Sequence, residues 1–220
     1  MRTFDDETFL AYIDISGFKK LIKYGNASEA LDSFYQHGYD VVHKYHKLNG
    51  IFASDSGIIF IDDSPTNSKN NLNSLLIAIK EINKLVLDDG FILTTSVAYG
   101  HFKFEKKIEF ERFRKNKFFG NAFVQAFLDN DDAKIKIRPG ECRILKETIP
   151  DSMLDHLRNR NFEENIFKFL EYRNGYYYSY WMVNDISKIK DIKSSYEFAY
   201  ESRYDLIKKV LNNTPFAFCV

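Results

Sequence analysis

The segment FLAYIDISGF, residues 9–18, places an acidic residue between a run of apolar residues and a turn. The apolar run, Phe9 to Ile13, is typical of a buried strand, and residues 18–24 have the spacing of a helix. Asp14 therefore lies where the predicted strand ends. A carboxylate beside a hydrophobic core is costly unless it is paired or coordinates a cation. The segment thus predicts a polar site at one end of a sheet.

Another acidic residue, Asp55, lies at the tip of a predicted hairpin, 41 residues after Asp14. The runs 50–53 and 57–61 are rich in strand-forming residues and flank it. If the strands that carry the two aspartates are neighbours, the carboxylates come together. Two carboxylates without His or Cys companions suit Mg²⁺ or Mn²⁺ better than zinc, and such sites complete their ligand shell with substrate phosphates. We predict a divalent-cation site formed by both aspartates.

The turn after Asp14 predicts a place for an anion. Ser16, Gly17 and Phe18 lead into the predicted helix, so their backbone N–H groups lie at a helix N-terminus, where anions bind. Taken singly, Asp14 and Asp55 are more often turn residues than site residues. Their order along the chain, with a long helix between them, favours a site for phosphoryl or nucleotidyl transfer.

The rest of the chain mixes predicted helices and strands. Helical spacing predicts helices at 28–47 (with Ser28 as N-cap), 72–87, 120–128, 152–170 and 196–211. Strand patterns predict β-structure at 91–100 (ending at Gly100), 102–113, 135–145 (a hairpin that turns at Pro139-Gly140) and 176–182. Strands arranged mostly as hairpins among helices indicate an α+β fold rather than a doubly wound parallel sheet.

Composition argues against several classes of function. The 220 residues have the size of one domain and carry 31 basic and 31 acidic side chains, so bulk charge does not favour nucleic-acid binding. Two cysteines are too few for a disulfide framework or a Cys-rich zinc site. The N-terminus is polar and acidic, unlike a signal peptide, and no apolar run is long enough to cross a membrane. We therefore expect a cytoplasmic protein that binds neither nucleic acid nor membrane.

Four motifs in this order resemble the catalytic domain of class III nucleotidyl cyclases, over about residues 8–145. The motifs are YIDISGF (12–18), SDSGIIF (54–60), TSVAYG (95–100) and FFGNAFVQAF (118–127). The resemblance implies an α+β domain of the ferredoxin-like or palm type, in which a central, mostly antiparallel sheet is flanked by helices. Residues 1–150 would form the catalytic domain, and residues 151–220 would add a helix, a strand and a helix that complete it.

The same resemblance implies roles for the acidic pair and the turn. Asp14 and Asp55 would be catalytic and hold two Mn²⁺ or Mg²⁺ ions, with the carbonyl of Ile15 as a further ligand. Ser16, Gly17 and Phe18 would hold the phosphates of a nucleoside triphosphate. The family forms its active sites at the interface of a head-to-tail dimer, which implies a homodimer with two equivalent sites.

The chain departs from the purine cyclases where those enzymes read the base and stabilise the transition state. Ile51 and Lys117 replace a base-reading Lys and acidic residue, and Val124 and Leu128 replace a transition-state Asn and Arg. The helix that begins at Gly120 resembles instead the Gly-x-Ala…Ala helix of the Pycsar pyrimidine cyclases of bacterial antiphage defence. This resemblance implies a uridylate cyclase that converts UTP, or alternatively CTP, to a cyclic second messenger. Ile51, Lys117 and Phe119 would then lie at the base.

Two alternatives stay open at this point. The missing Asn and Arg fit a catalytically inactive cyclase-like domain that senses a nucleotide or binds a partner, whereas the presence of both aspartates counts against it. A diguanylate cyclase or polymerase relative is also palm-like, but the hairpin tip Ser54-Asp55-Ser56 differs from the Gly-Gly-Asp-Glu-Phe type of hairpin.

Overall fold

The computed structural model describes residues 3–63, 68–105, 117–131, 134–158 and 166–182, together with Glu201, Ser202 and Asp205. Its strands are β1 (Phe4–Ile15), β2 (Leu48–Ala53), β3 (Ser56–Ile61), β4 (Leu93–Glu105), β5 (Lys117–Phe119), β6 (Cys142–Leu145), β7 (Leu170–Arg173) and β8 (Tyr176–Ser179). Its helices are α1 (Phe18–Tyr24), α2 (Ala27–Lys44), α3 (Ser68–Asp88), α4 (Asn121–Asp131) and α5 (Asp151–Arg158). None of the helices described here combines the length and the apolar character that a membrane span requires.

In the described part of the chain, the eight strands join one sheet in the order β2-β3-β1-β4-β6-β8-β7, with β5 pairing onto β4. Neighbouring strands are antiparallel except β4 and β6, which run parallel. The predicted α+β fold with a mostly antiparallel sheet is confirmed. β7 and β8 belong to this same sheet, so they extend the layer that β1 to β6 begin.

β1 divides its side chains between two cores, because successive strand residues point to opposite faces of a sheet. Phe9 and Ile13 pack in the larger core, which α2 and α3 cover. Leu10 belongs to the smaller core, which α4 covers with Ala122 and Ala126. Tyr12 lies on this second face, where its ring meets Phe127 of α4 edge-on, with the centroids 5.4 Å apart. Asp14 follows in the same alternation and therefore lies on the α4 side.

β4 is longer than predicted, because it does not end at Gly100 but continues to Glu105. The glycine allows a close approach rather than a turn. A Cβ at Gly100 would lie 2.5 Å from Oδ1 of Asn121, the first residue of α4. The strand can therefore pass beneath the start of this helix.

The hairpin predicted at 135–145 is wrong in its first half, because only Cys142–Leu145 forms a strand there. The chain before β6 is a turn closed by Glu141, whose carboxylate accepts a hydrogen bond from the backbone N–H of Arg138 at 2.9 Å. The N–H of Gly140 donates to the carbonyl of Leu93 at 2.9 Å. Residues 135–140 thus guide β6 to a parallel position beside β4 instead of pairing with it.

The helix predictions are confirmed for α1, α3 and α4, and two others need correction. Asn26, not Ser28, precedes α2 as its N-cap residue. The helix predicted at 152–170 is wrong at its end, because Ile166–Phe169 forms a 3-10 turn that leads into β7, and residues 159–165 of this prediction lie outside the described residues. The predicted helix at 196–211 falls almost entirely outside the described residues, as does the part of the predicted strand 102–113 beyond Glu105.

Candidate active site

Asp14 and the turn that carries Asp55 meet at one end of the sheet. β1 and β3 pair so that Asp14 is opposite Ser56. The backbone N–H of Ile15 donates to the carbonyl of Asp55 at 2.9 Å. Asp55 lies in the two-residue turn between β2 and β3. The neighbouring strands thus bring together the two residues that the sequence analysis paired.

The electrostatics of this pair favour a bound positive charge. The pKa of Asp14 is raised from an ordinary 3.8 to about 7, chiefly by burial and then by the negative charges of Asp55 and Asp131. Burial and the same carboxylates also raise the pKa of the neighbouring Tyr12 hydroxyl. A carboxylate in such surroundings is stabilised either by a proton or by a cation.

Asp131 is a member of this acidic group that the sequence analysis missed. It is the last residue of α4, and the packing of that helix across β1 brings its charge near Asp14. Acidic residues at a helix end are ordinarily solvated, so the local pattern does not distinguish Asp131. Only the tertiary position of α4 does so.

A buried ion pair holds α4 in this position. Arg143 on β6 is fully buried, and its Nη2 and Nε donate to the carboxylate of Asp129 at 2.8 and 3.0 Å. The hydroxyl of Ser96 donates to the same carboxylate at 2.6 Å. Breaking a buried pair of this kind is costly, because one charge is left without a partner. The pair therefore fixes the end of α4, and with it Asp131, against the sheet.

The turn after Asp14 has one unsatisfied polar group. The backbone N–H of Ser16 is already used, since it donates to the carbonyl of Ile92 at 2.8 Å. The Oγ of Ser16, in contrast, is buried without a hydrogen-bond partner among the described residues. Gly17 has a φ of +77° and precedes α1, so the N–H groups of Gly17 and Phe18 lie at a helix start, where helices have no acceptor of their own. The Ser16 hydroxyl and these two N–H groups can thus receive an oxygen-rich ligand.

The donor set suits a hard divalent cation that is only partly held by protein. Among the residues that the structure describes, no group of three or more His, Cys, Asp or Glu side chains is arranged around a metal position. Two carboxylates and the neighbouring Ile15 carbonyl leave about half of a six-oxygen shell to water or ligand, which is the usual situation for Mg²⁺.

The structure separates Lys117 from the acidic pair, whereas Ile51 pairs with Ile58, which in turn pairs with Tyr12, two residues before Asp14. Asp14 pairs with Thr94 at one end of β4, and Lys117 pairs with Glu105 at the other. At about 3.3 Å per residue, these two levels of β4 are roughly 35 Å apart. Lys117 is exposed, and its Nζ lies 3.3 Å from Oε2 of Glu105. One chain therefore does not bring Lys117 to its own Asp14.

The other predicted base residues, Ile51 and Phe119, differ in exposure, and the two residues at the transition-state positions, Val124 and Leu128, are both exposed. Ile51 is buried in the core beneath α4. Phe119 is 45% exposed, and Val124 and Leu128 on the outer face of α4 are 47% and 49% exposed. Val124 and Leu128 are four residues apart and therefore lie on the same face of α4.

We predict that the metal-free protein loses stability as the pH rises from about 4 to about 7. The folded chain keeps a proton on Asp14 in this range, whereas the unfolded chain releases it near the ordinary pKa of 3.8. The stabilisation that comes from the proton on Asp14 is thus complete below pH 4 and lost above pH 7. Relative to Asp14→Asn, the wild type should lose about 1 to 2 kcal/mol of unfolding free energy, allowing for solvent screening. Urea titrations of both proteins at pH 4.5 and 7.5 measure this, and an equal change in both would contradict it.

Comparisons with known proteins establish the fold. No protein-family model matches the sequence, and no curated protein is significantly similar to it. The fold is similar to that of the adenylyl cyclase CyaB from P. aeruginosa, with a TM-score of 0.54, 13% identity, and coverage of 84% of this chain and 97% of that chain. The non-canonical dimeric guanylyl cyclase domain of the RhoGC fusion protein from the aquatic fungus Blastocladiella emersonii gives a TM-score of 0.51, 8% identity, and coverage of 67% of this chain and 83% of that chain. The chain thus has the fold of an adenylyl or guanylyl cyclase catalytic domain.

Proposed function

We propose that this chain is a nucleotidyl cyclase, which converts a nucleoside triphosphate to the 3′,5′-cyclic monophosphate and pyrophosphate. The observation that carries the proposal is the meeting of Asp14 with the Asp55 turn at one end of a cyclase-type sheet. The ribose 3′-oxygen would attack the α-phosphorus as its hydroxyl proton passes to solvent, and the bond from that phosphorus to the bridging oxygen of pyrophosphate would break. Such reactions depend mainly on positioning and on electrostatic stabilisation.

Asp14, Asp55 and the Ile15 carbonyl would hold two divalent ions, Mn²⁺ or Mg²⁺. Bound there, the ions would lower the pKa of the 3′-hydroxyl and neutralise charge on the phosphates. The unpartnered Ser16 hydroxyl and the N–H groups of Gly17 and Phe18 would bind phosphate oxygens. The chain's own contribution is thus to orient the triphosphate at the end of β1.

A homodimer would complete the site. The separation of Lys117 from Asp14 along β4 supports this, because a base held near Lys117 cannot reach the acidic pair of the same chain. A second copy in head-to-tail arrangement would present its Lys117 end to the first copy's Asp14 end, and two equivalent sites follow from the symmetry. The apolar outer face of α4 would be buried by this contact.

We further propose that UTP is the preferred substrate, CTP the second, and that the cyclic product is a second messenger in antiphage defence, as the resemblance implies. Lys117 offers only hydrogen-bond donors. Uracil presents the acceptor O4 where cytosine presents an amino donor, so a lysine here favours uracil and repels cytosine. Phe119 would stack on the base, and Ile51 would occupy the position that a base-reading lysine has in purine cyclases.

Replacing Lys117 by Ala is expected to lower the UTP-to-CTP ratio of kcat/KM about tenfold, which is the size of one hydrogen-bond preference. Lys103→Ala is the matched control, because the ammonium groups of Lys103 and Lys117 both contact Glu105. The control should keep the wild-type ratio. An unchanged ratio in Lys117→Ala would remove this residue from base recognition, and a wild-type preference for ATP would contradict the pyrimidine assignment.

A second function, nucleotide sensing without turnover, is favoured by Val124 and Leu128. These exposed apolar side chains stand where purine cyclases have their transition-state Asn and Arg. Incubating the purified protein with each of the four ribonucleoside triphosphates and Mn²⁺, followed by mass spectrometry, distinguishes the two functions. Cyclic UMP with pyrophosphate supports the cyclase, and its specific activity should fall on dilution as a dimer dissociates. Nucleotide binding without product would support the sensor.

A further inference from the structure

We propose that Tyr35 of α2 is a positioning residue for Asp55, an inference that rests on the proposed function. Asp55 needs a fixed direction because its carboxylate has to meet Asp14 across the end of the sheet. It lies in a tight turn, however, and such turns are the most mobile parts of a hairpin. The structure shows how this turn is held from two sides.

The first hold comes from β1. The carbonyl of Asp55 accepts a hydrogen bond from the backbone N–H of Ile15 at 2.9 Å. The peptide group that follows Asp55 is therefore fixed to the strand that carries Asp14. This bond belongs to the sheet and requires no particular side chain.

The second hold comes from Tyr35. Its hydroxyl donates to the carbonyl of Ser54 at 2.9 Å. That carbonyl belongs to the peptide group that precedes Asp55, so both peptide planes around the Asp55 Cα are now fixed. Ser54 has a φ of +54°, a conformation that is uncommon for a residue other than glycine and persists where the surroundings enforce it.

A glycine-lined recess brings α2 close enough for this contact. The ring of Phe52 on β2 lies against Gly38 of α2, Gly50 of β2 and Gly57 of β3. A Cβ at any of the three would come within 2.5 to 2.8 Å of the Phe52 ring. The Tyr35 ring meets that of Phe52 edge-on, with the centroids 6.0 Å apart, so Tyr35 packs beside this recess.

The Tyr35 hydroxyl contributes more to geometry than to stability. Tyr35 is 37% exposed, so water can replace its hydrogen bond in the unfolded chain and, after substitution, at the Ser54 carbonyl. A displacement of a catalytic group by about 1 Å can nevertheless cost about 100-fold in rate. Loss of this hydroxyl should therefore affect the site while the fold remains intact.

Tyr35→Phe tests the inference, because it keeps the ring and removes only the hydroxyl. Tyr39→Phe is the matched control, since Tyr39 lies on the same helix, is 63% exposed and stacks on His43 away from the hairpin tip. We expect Tyr35→Phe to lower kcat about tenfold with little change in KM, and to weaken Mn²⁺ binding to the nucleotide-free protein several-fold, measured by electron paramagnetic resonance. The Ile15 amide, which donates to the Asp55 carbonyl, should exchange its hydrogen several-fold faster, and the melting temperature should stay near that of the wild type.

The outcomes separate this inference from the proposed function. Wild-type Mn²⁺ affinity and wild-type exchange of the Ile15 amide in Tyr35→Phe would overturn the positioning role alone. Equal effects in Tyr39→Phe would also overturn it, because they would show a general weakening of α2. A wild-type protein that neither binds Mn²⁺ nor turns over any nucleotide would overturn the proposed function and this inference together.

Discussion

Replacing Asp14 or Asp55 by Asn is expected to abolish cyclisation while leaving the fold intact. Each substitution removes one of the two carboxylates that would hold the divalent ions, and the loss of a metal carboxylate costs several kcal/mol of transition-state stabilisation. At about 1.4 kcal/mol per factor of ten, this is about 1,000-fold or more in rate. Asp14→Asn should also stabilise the metal-free protein at neutral pH, because it removes the charge that burial disfavours. Cyclic nucleotide formation and urea unfolding measure the two effects.

Asp62→Asn is a suitable control for these variants. Asp62 follows β3 at the end of the hairpin opposite to Asp55, and its side chain is exposed. It should keep wild-type activity and stability. Turnover near the wild-type rate in Asp14→Asn at saturating Mn²⁺ would contradict the assignment of both ions to the acidic pair.

The acidic pair could be predicted because its signals are local. An apolar run that ends in Asp14, and two strand-like runs on either side of Asp55, reveal a strand end and a hairpin tip without knowledge of the fold. The pairing of β1 with β3 then brings the two together. The same reasoning predicted α1, α3 and α4, whose apolar spacing is regular.

The rest of the site depends on tertiary packing. Asp131 is near Asp14 because α4 packs across the sheet, where the Arg143–Asp129 pair helps to hold it, and an arginine in the short strand Cys142–Leu145 does not predict a buried ion pair. Tyr35 packs near the hairpin tip beside a recess for Phe52 that three glycines on three different elements form. Neither arrangement has a periodicity that a sequence pattern can show.

The length of β4 and the parallel pairing of β6 could not be predicted from the sequence either. A glycine inside a strand is read as an end, but Gly100 instead allows α4 to approach β4. The extra length of β4 separates Lys117 from Asp14. Under the proposed function, a base bound near Lys117 would therefore need the acidic pair of a second copy. The Pro139-Gly140 turn resembles a hairpin turn in sequence, yet the strand that follows it, β6, pairs in parallel with β4.

Gly120→Ala is expected to destabilise the protein by about 3 kcal/mol or more, the range of substitutions that strain the backbone or force a clash in a packed region. Gly120 joins β5 to α4 and has a φ of +148°. A Cβ there would lie 2.2 Å from the carbonyl oxygen of His101 and 2.7 Å from the Cα of Phe102. Both atoms are backbone atoms of β4, so no side-chain rotation can relieve the contact. Urea unfolding of the variant measures the loss.

Gly90→Ala separates the clash from the backbone conformation. Gly90 also has a positive φ, +92°, but a Cβ there would meet nothing within 4 Å. Its substitution should therefore cost only about 1 kcal/mol, the conformational part of the effect. If the two variants lose equal stability, the close approach of Gly120 to β4 is not what holds α4 on the sheet. If Gly120→Ala loses far more, the glycine that begins the helix motif is required for packing, whatever the chemistry at the site. Its presence in the sequence then supports the position of α4 independently of any assigned activity.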